Sequence, residues 1–324
     1  MKKEQEMKGK PGKASAYHTA SYVARCAQLA MLLEVSAHPK PGNIDRDHDY
    51  ENTTFEHFLT SSVAVYPILE KAAGKEHEIG KYVHEAVLES IAWQKGGNTH
   101  FGAFLLLFPL AMAAGRLIRN SRELTPENLT EEAFNIVKET DVEDAVQIYL
   151  SFGPAGVKVR EVNEFDLSDA KAIADIENKR TTLYQLMQMS SSYDLIAKEW
   201  TSGFTRCAQC ARILTREMDG HGTLVHAGNS RINHIIVYAF LKMLATDMDT
   251  FIETKFDRQT AEEVSAKARR INYKLEYSGN NMENILPDVY NFDEELLARG
   301  INPGSTADIM IGGLFISLLG GMRF

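Results

Sequence analysis

Three glycine-containing loops of the 324-residue chain each set carboxylate, amide or hydroxyl groups beside the expected start of a helix. The first is Pro39-Lys40-Pro41-Gly42-Asn43-Ile44-Asp45-Arg46-Asp47-His48-Asp49, which mixes cations with acids. The second is Lys95-Gly96-Gly97-Asn98-Thr99-His100, and the third is Asn302-Pro303-Gly304-Ser305-Thr306-Ala307-Asp308. Free N–H groups at helix starts attract phosphate. Mg²⁺ prefers a few carboxylates together with waters and phosphate oxygens. The three loops therefore predict a site for a metal-bound polyphosphate, with Asp45, Asp49 and Asp308 as metal candidates. Any one of them alone reads equally as a helix cap that complements the dipole.

Other chemistries find less support. No Gly-x-x-x-x-Gly-Lys-[Ser/Thr] run is present and no Gly-x-Gly-x-x-Gly follows a strand, so P-loop and dinucleotide-binding readings lose their usual footing. Cys207 and Cys210 form a Cys-x-x-Cys pair, but a structural zinc site wants four ligands and no second pair exists. On a helix the two are neighbours at i and i+3. His221, His226 and His234 are not spaced for one helical face, although the polar run from Asp219 to His234 could wall a pocket. Lys267, Arg269 and Arg270 read as a solvated cluster near a helix end.

The elements that must carry these loops are helical. Apolar residues recur at three- and four-residue steps over Tyr17–Ala37, along Phe55 to Leu69, and over Ile79–Trp93, Phe101–Arg119, Glu131–Leu150, Thr181–Lys198, Phe204–Met218, Ile232–Ala245, Ala261–Leu275 and Thr306–Leu319. Sustained strand alternation appears nowhere, and Gly156-Val157-Lys158-Val159 is the best strand candidate. Gly153 to Ser168 is the least structured stretch. The expected organisation is a flexible tail over residues 1–13, then one all-α domain over residues 14–324, a single large helical bundle with its active-site loops at helix N-termini.

Composition sets the outer bounds. Hydrophobic residues make up 44% and charged residues 24% of the chain, which supports a sizeable core. The net charge of -9 argues against binding long nucleic acid, which needs a basic stripe. Phe101–Arg119 is apolar enough to suggest a membrane span, but a buried core helix is the expected reading. Three cysteines and no secretory signal point to the reducing cytoplasm. A homodimer is compatible with this composition, and C₂ symmetry leaves no mark in a sequence.

In order, the three loops resemble the signatures of the triphosphoribosyl-dephospho-CoA synthase family. Glu34-Val35-Ser36 through Pro39-Lys40-Pro41-Gly42 to Asp45-Arg46 is similar to its opening signature. Gly97-Asn98-Thr99-His100 with Gly102-Ala103 is similar to the second, and Pro303-Gly304-Ser305-Thr306-Ala307-Asp308 to the last. The resemblance implies an enzyme that joins the ribose anomeric carbon of ATP to a hydroxyl of 3′-dephospho-CoA, releasing adenine and keeping the triphosphate. By the same resemblance Lys40, Arg46, Gly42, Gly97, Thr99, Gly304, Ser305 and Thr306 lie around the nucleotide, with Asp45 and Asp308 near Mg²⁺. Asn98 and His100 face the ribose or base, and His100, Asp45 and Asn98 are the catalytic candidates. His100 suits proton transfer because an unperturbed imidazole titrates near pH ~6.5. Spacing does not say which group is acid and which is base.

Around Asp249-Thr250-Phe251-Ile252 the chain departs from the family pattern. Met248 stands where a proline is expected, and Glu253-Thr254-Lys255 replaces Ala-Arg-Lys, so Thr254 occupies a basic position and Lys255 remains as the phosphate contact. Thr53-Thr54-Phe55-Glu56 resembles the divergent, archaeal-type branch, for which a methanopterin-type pterin precursor is an alternative acceptor. A nucleotide-binding protein without turnover and an ATP-dependent phosphotransferase are the readings from other classes.

Overall fold

The computed structural model describes residues 16–156, 170–225 and 231–324. Among these residues the secondary structure is helical, with two isolated bridges, Tyr50 to Thr53 and Val225 to Asn281. The first helices are α1 (Ala16–Ser36), α2 (Phe55–Ala64), α3 (Tyr66–Ala73), α4 (Ile79–Trp93) and α5 (Phe101–Arg119). Then follow α6 (Pro126–Lys138), α7 (Val142–Ala155), α8 (Ala170–Lys179), α9 (Leu183–Ser190), α10 (Leu195–Ser202) and α11 (Thr205–Met218). The last are α12 (Arg231–Thr246), α13 (Thr250–Lys255), α14 (Arg258–Tyr277), α15 (Leu286–Ala298) and α16 (Gly304–Leu319), with a 3₁₀ turn at Met282–Asn284. The all-α class is the expected one.

Two helices that are apolar on every side, α5 and α16, occupy the centre, as such helices must in water. α5 packs on α1, α3, α4, α6, α10 and α16, and α16 packs also on α11 and α12. By length and composition α5 could cross a membrane, but 83% of its apolar stretch is buried inside the protein. Leu106, Phe108, Leu110, Leu314 and Phe315 are fully withdrawn from solvent, each contributing about 1.5–3 kcal/mol. Where α11 crosses α16, a Cβ added at Gly312 would lie 2.6 Å from Cys207 Sγ, and one at Gly313 2.4 Å from Cys210 Sγ. The Cys-x-x-Cys pair therefore fills a glycine notch, and all three cysteines are buried and unbridged.

Caps divide stretches that apolar spacing alone reads as continuous. Glu131–Leu150 was expected as one helix; instead α6 ends at Lys138 and Asp141 starts α7, accepting Asp144 N–H in a capping box. Thr181–Lys198 likewise resolves into α9 and α10, because Asp194 accepts the Ala197 N–H at 2.8 Å and restarts the helix. The stripe from Phe55 to Leu69 breaks at Val65, where Pro67 sits in the first turn of α3. Gly153 to Ala155 close α7 and Gly156 is its left-handed C-cap. The rest of the strand candidate, Val157 to Val159, the remainder of the stretch to Ser168, and the tail over 1–13 lie outside the described residues. α8 and α15 had no counterpart in the sequence reading.

Candidate active site

The N-terminal ends of three helices meet at a cavity of about 270 Å³. α5 lines it with Phe101, Gly102 and Leu105, α10 with Asp194, Ile196 and Ala197, and α16 with Gly304, Ser305, Ala307, Asp308 and Ile311. Side chains lock these ends together. Asp249 is fully buried. One of its oxygens caps α13 through Phe251 N–H (2.9 Å) and Ile252 N–H (3.1 Å). The other accepts both the N–H (2.7 Å) and the hydroxyl (2.8 Å) of Thr306. Thr250 Oγ1 accepts the Leu195 N–H at 3.0 Å and lies 3.2 Å from Ser305 Oγ. Asn98 Oδ1 takes the Phe101 N–H at 3.0 Å. Helix starts so arranged present partial positive charge to whatever fills the cavity.

The wall is acidic. Among the described residues Glu34, Asp194 and Asp308 line it, and no described lysine or arginine does. Burial raises the Glu34 carboxyl above its ordinary value even though Lys40 pulls it down. Asp308 is raised well above the carboxylate range, first by burial and then by the charges of Glu34 and Asp249. Burial raises Asp194 too, against the N–H groups of Ala197 and Ile196. Asp308 leans on the first turn of α5: a Cβ at position 102 would lie 2.0 Å from its Oδ2, so only glycine leaves room. Phe58, Phe101, Phe152 and Phe251 form the apolar part of the lining.

Of the residues expected at the site, Asn98, Thr99, Gly304, Ser305 and Asp308 line the cavity. Lys40 does not: it is wholly buried, its ammonium bonded to Glu34 and, at 2.8 Å, to Asn43 Oδ1. Arg46 is exposed and bonds the Ser36 carbonyl. Gly97 is in an exposed turn. Thr306 faces Asp249. Lys255 rests its ammonium 4.2 Å from the centre of the Phe251 ring, which belongs to the lining, as does Thr254. Asp49 is exposed and caps α2 through the Phe55 N–H at 2.7 Å. Asp45, Asp49 and Asp308 thus do not share one lining, and Asp308 alone of the three faces the cavity.

His100 lies behind the lining, 1% exposed, between the Phe58 and Phe104 rings. Its Nδ1 meets Ser61 Oγ at 2.9 Å and its Nε2 is buried without a hydrogen bond. Burial, helped by Lys40, depresses its pKa to about 3. Burial thus disfavours the imidazolium form.

Asp45 belongs to another constellation. Its oxygens meet His38 Nδ1 (2.8 Å) and the N–H groups of Lys40 (3.2 Å), Asp47 (2.9 Å) and His48 (3.2 Å). Burial works to raise its pKa, but these bonds, led by His38, hold it below the usual value. Asp293 of α15 approaches the same loop, accepting the Gly42 N–H at 2.8 Å. Burial and the Asp45 charge push Asp293 up to about 6. Gly42 has φ +73°, and its ideal Cβ would fall 2.2 Å from the Ile301 carbonyl, so both turn and packing require glycine. Asn233 of α12 braces the loop, accepting the His38 N–H (2.9 Å) and donating to its carbonyl (2.6 Å). Of the polar run expected as a pocket wall, His226 to Ser230 lie outside the described residues, and the rest do not line the cavity.

Sequence reasoning missed Glu34, Asn43, Asp194 and Asn302 in the lining. Asp194 had a signal, an aspartate directly before Leu195-Ile196-Ala197, the pattern of an N-cap.

A sequence profile of the ATP:dephospho-CoA triphosphoribosyl transferase family matches residues 20–323. The 2-(5''-triphosphoribosyl)-3'-dephosphocoenzyme-A synthase of Klebsiella pneumoniae is 24% identical over 319 residues, covering 92% of this chain and 91% of its own. The enzyme of the same name from Escherichia fergusonii is 20% identical over 337 residues, covering 95% and 94%. A crystal structure of an Archaeoglobus fulgidus protein, described as a candidate triphosphoribosyl-dephospho-CoA synthase, matches with a TM-score of 0.62 at 26% identity, over 82% of this chain and 100% of that one.

Proposed function

The chain belongs to the ATP:dephospho-CoA triphosphoribosyl transferase family, and from that membership we propose that it transfers the triphosphoribosyl group of ATP to the ribose hydroxyl of 3′-dephospho-CoA. The bond from the ribose anomeric carbon to adenine breaks and one to the acceptor oxygen forms. The acceptor loses its proton and adenine departs carrying one.

The observation that carries this reading is a cavity that combines three helix N-termini with three carboxyl groups among its described residues. The helix ends hold phosphate oxygens. Glu34 and Asp194 in their ionised form stabilise the positive charge that develops at the anomeric carbon. Phe58, Phe101, Phe152 and Phe251 offer faces to the adenine ring, and Asn98, Thr99 and Ser305 supply polar contacts for ribose. Carboxyls with raised pKa values suit the two proton transfers. The donor set also fits Mg²⁺, an ion that takes carboxylates and phosphate oxygens. Asp308 with Glu34 or Asp194 would hold it, and it would neutralise the triphosphate. A cytoplasmic setting fits the ATP supply and the free, buried cysteines.

Incubation with ATP, Mg²⁺ and 3′-dephospho-CoA, followed by chromatography, tests the reading. Free adenine should appear in step with a heavier CoA product. ADP in place of adenine would mean phosphotransfer, and adenine formed with a pterin alcohol but not with dephospho-CoA would move the acceptor. ATP binding without adenine release for any acceptor would sink the transferase reading.

A further inference from the structure

We propose that His38, Asp45, His48 and Asp293 form a second metal site, one for a divalent transition ion of the Zn²⁺ type, which pins α15 to the loop behind the cavity. One donor atom from each of the four residues lies within 4.8 Å of all the others. The donors come from two distant parts of the chain, the 38–48 loop and the middle of α15.

Two further observations separate this cluster from an ordinary ion-pair network. His48 Nδ1 and Asp293 Oδ2 are 2.8 Å apart, yet both atoms are buried and neither has a hydrogen-bond partner, because they do not meet in hydrogen-bonding geometry. Asp293 itself has no solvent exposure. Two electron-rich atoms held this close, without a shared proton, are arranged for a cation that both can reach. Second, His38 faces carboxylates from both ring nitrogens, Asp45 at 2.8 Å from Nδ1 and Asp47 at 3.2 Å from Nε2. Neutral imidazole has one proton. With a metal bound, that proton would sit on the Asp47 side and Nδ1 would exchange its present contact with Asp45 for the metal, and a carboxylate partner such as Asp47 commonly orients a metal-bound histidine.

The remaining lone pairs are already tied down by backbone N–H groups, as a ligand shell requires: Asp45 by residues 40, 47 and 48, Asp293 by Gly42. Two carboxylates, two neutral imidazoles and one divalent ion sum to zero charge, which suits a buried position. Two imidazole donors favour Zn²⁺, Co²⁺ or a similar ion over Mg²⁺. The loop they would fix also carries Lys40, which partners Glu34, and Asn43 in the cavity wall.

The test uses the full chain and needs no substrate. Metal-stripped protein is titrated with Co²⁺ in the presence of excess Mg²⁺, and zinc content is measured after purification without chelator. About one ion per chain should bind, giving the intense visible bands of a four-coordinate N/O cobalt site, and zinc should displace it. His48→Ala, a half-buried position, and Asp293→Asn should each weaken binding by about tenfold or more. A wild-type cobalt spectrum like that of the free aqueous ion, with no zinc retained, overturns the proposal whatever the variants do. So does unchanged affinity in both variants.

Discussion

Asp249 and Thr306 are joined twice through one carboxylate oxygen, while the other oxygen of Asp249 caps α13. The start of α16, which supplies Gly304, Ser305 and Asp308 to the cavity, is thereby tied to α13 by a single buried acid. Thr306→Val removes the hydroxyl and leaves that acid short of a donor. We expect a loss of about 1–3 kcal/mol in urea unfolding, with Thr306→Ser close to wild type. Equal stability for the valine and serine variants would show that the hydroxyl bond contributes nothing.

Gly102 gives way to no side chain. Gly102→Ala should leave helicity unchanged, since alanine favours a helix, but push Asp308 off the wall. The apparent Mg²⁺ requirement for adenine release should rise by about tenfold or more. An unaltered Mg²⁺ titration would remove Asp308 from the metal's neighbourhood.

His100 makes stability depend on pH. Its folded pKa, about 3, lies below the ordinary 6.5, so between those values the unfolded chain binds the additional proton. Stability is complete above pH 6.5 and is lost as pH falls through that window, by up to about 1.4 kcal/mol per pH unit from this group. Denaturant unfolding from pH 7.5 to 5 should show a shallower slope in His100→Gln than in wild type. Turnover should show no acid limb that His100→Gln abolishes.

Thr254 stands on the cavity wall where the family pattern has a basic residue. Thr254→Arg would add a cation to a lining that has none among its described residues, and one charge-assisted phosphate bond of about 1.5–3 kcal/mol should lower the KM for ATP by tenfold or more. An unchanged KM would mean that position 254 lies beyond reach of the phosphates.

The helices most legible in the sequence were those with the strongest patterning. α4 and α5 run between the bounds their spacing suggests, because an unbroken apolar face and polar or glycine-rich flanks leave little choice. The divided helices were not legible in that way. Asp141 and Asp194 interrupt stretches whose apolar spacing continues across the break, so periodicity outvoted the cap. Reading Asp194 as a cap would also have found a cavity residue. α15 hides behind Pro287 and an acid-rich face, and nothing in its sequence announces that Asp293 meets the 38–48 loop. Of the loop residues, Asn98, Thr99, Gly304, Ser305 and Asp308 face the cavity and others do not. Lys40 turns inward to Glu34 and Asp49 to the start of α2, both near in sequence, while His100 enters an aromatic slot and meets Ser61, 39 residues away.

The carboxylate wall acts as a filter on the ionic form of the nucleotide. A polyanion arriving bare is repelled by whichever of these carboxyls is ionised and holds Asp308 in its acid form, and helix ends on the other side are not full cations able to cancel its charge. A nucleotide that has already taken up its divalent ion arrives with much of that repulsion removed. On the proposed function, turnover is expected to follow the metal-complexed fraction of the ATP pool more than its total, and to slow when free Mg²⁺ falls at constant ATP.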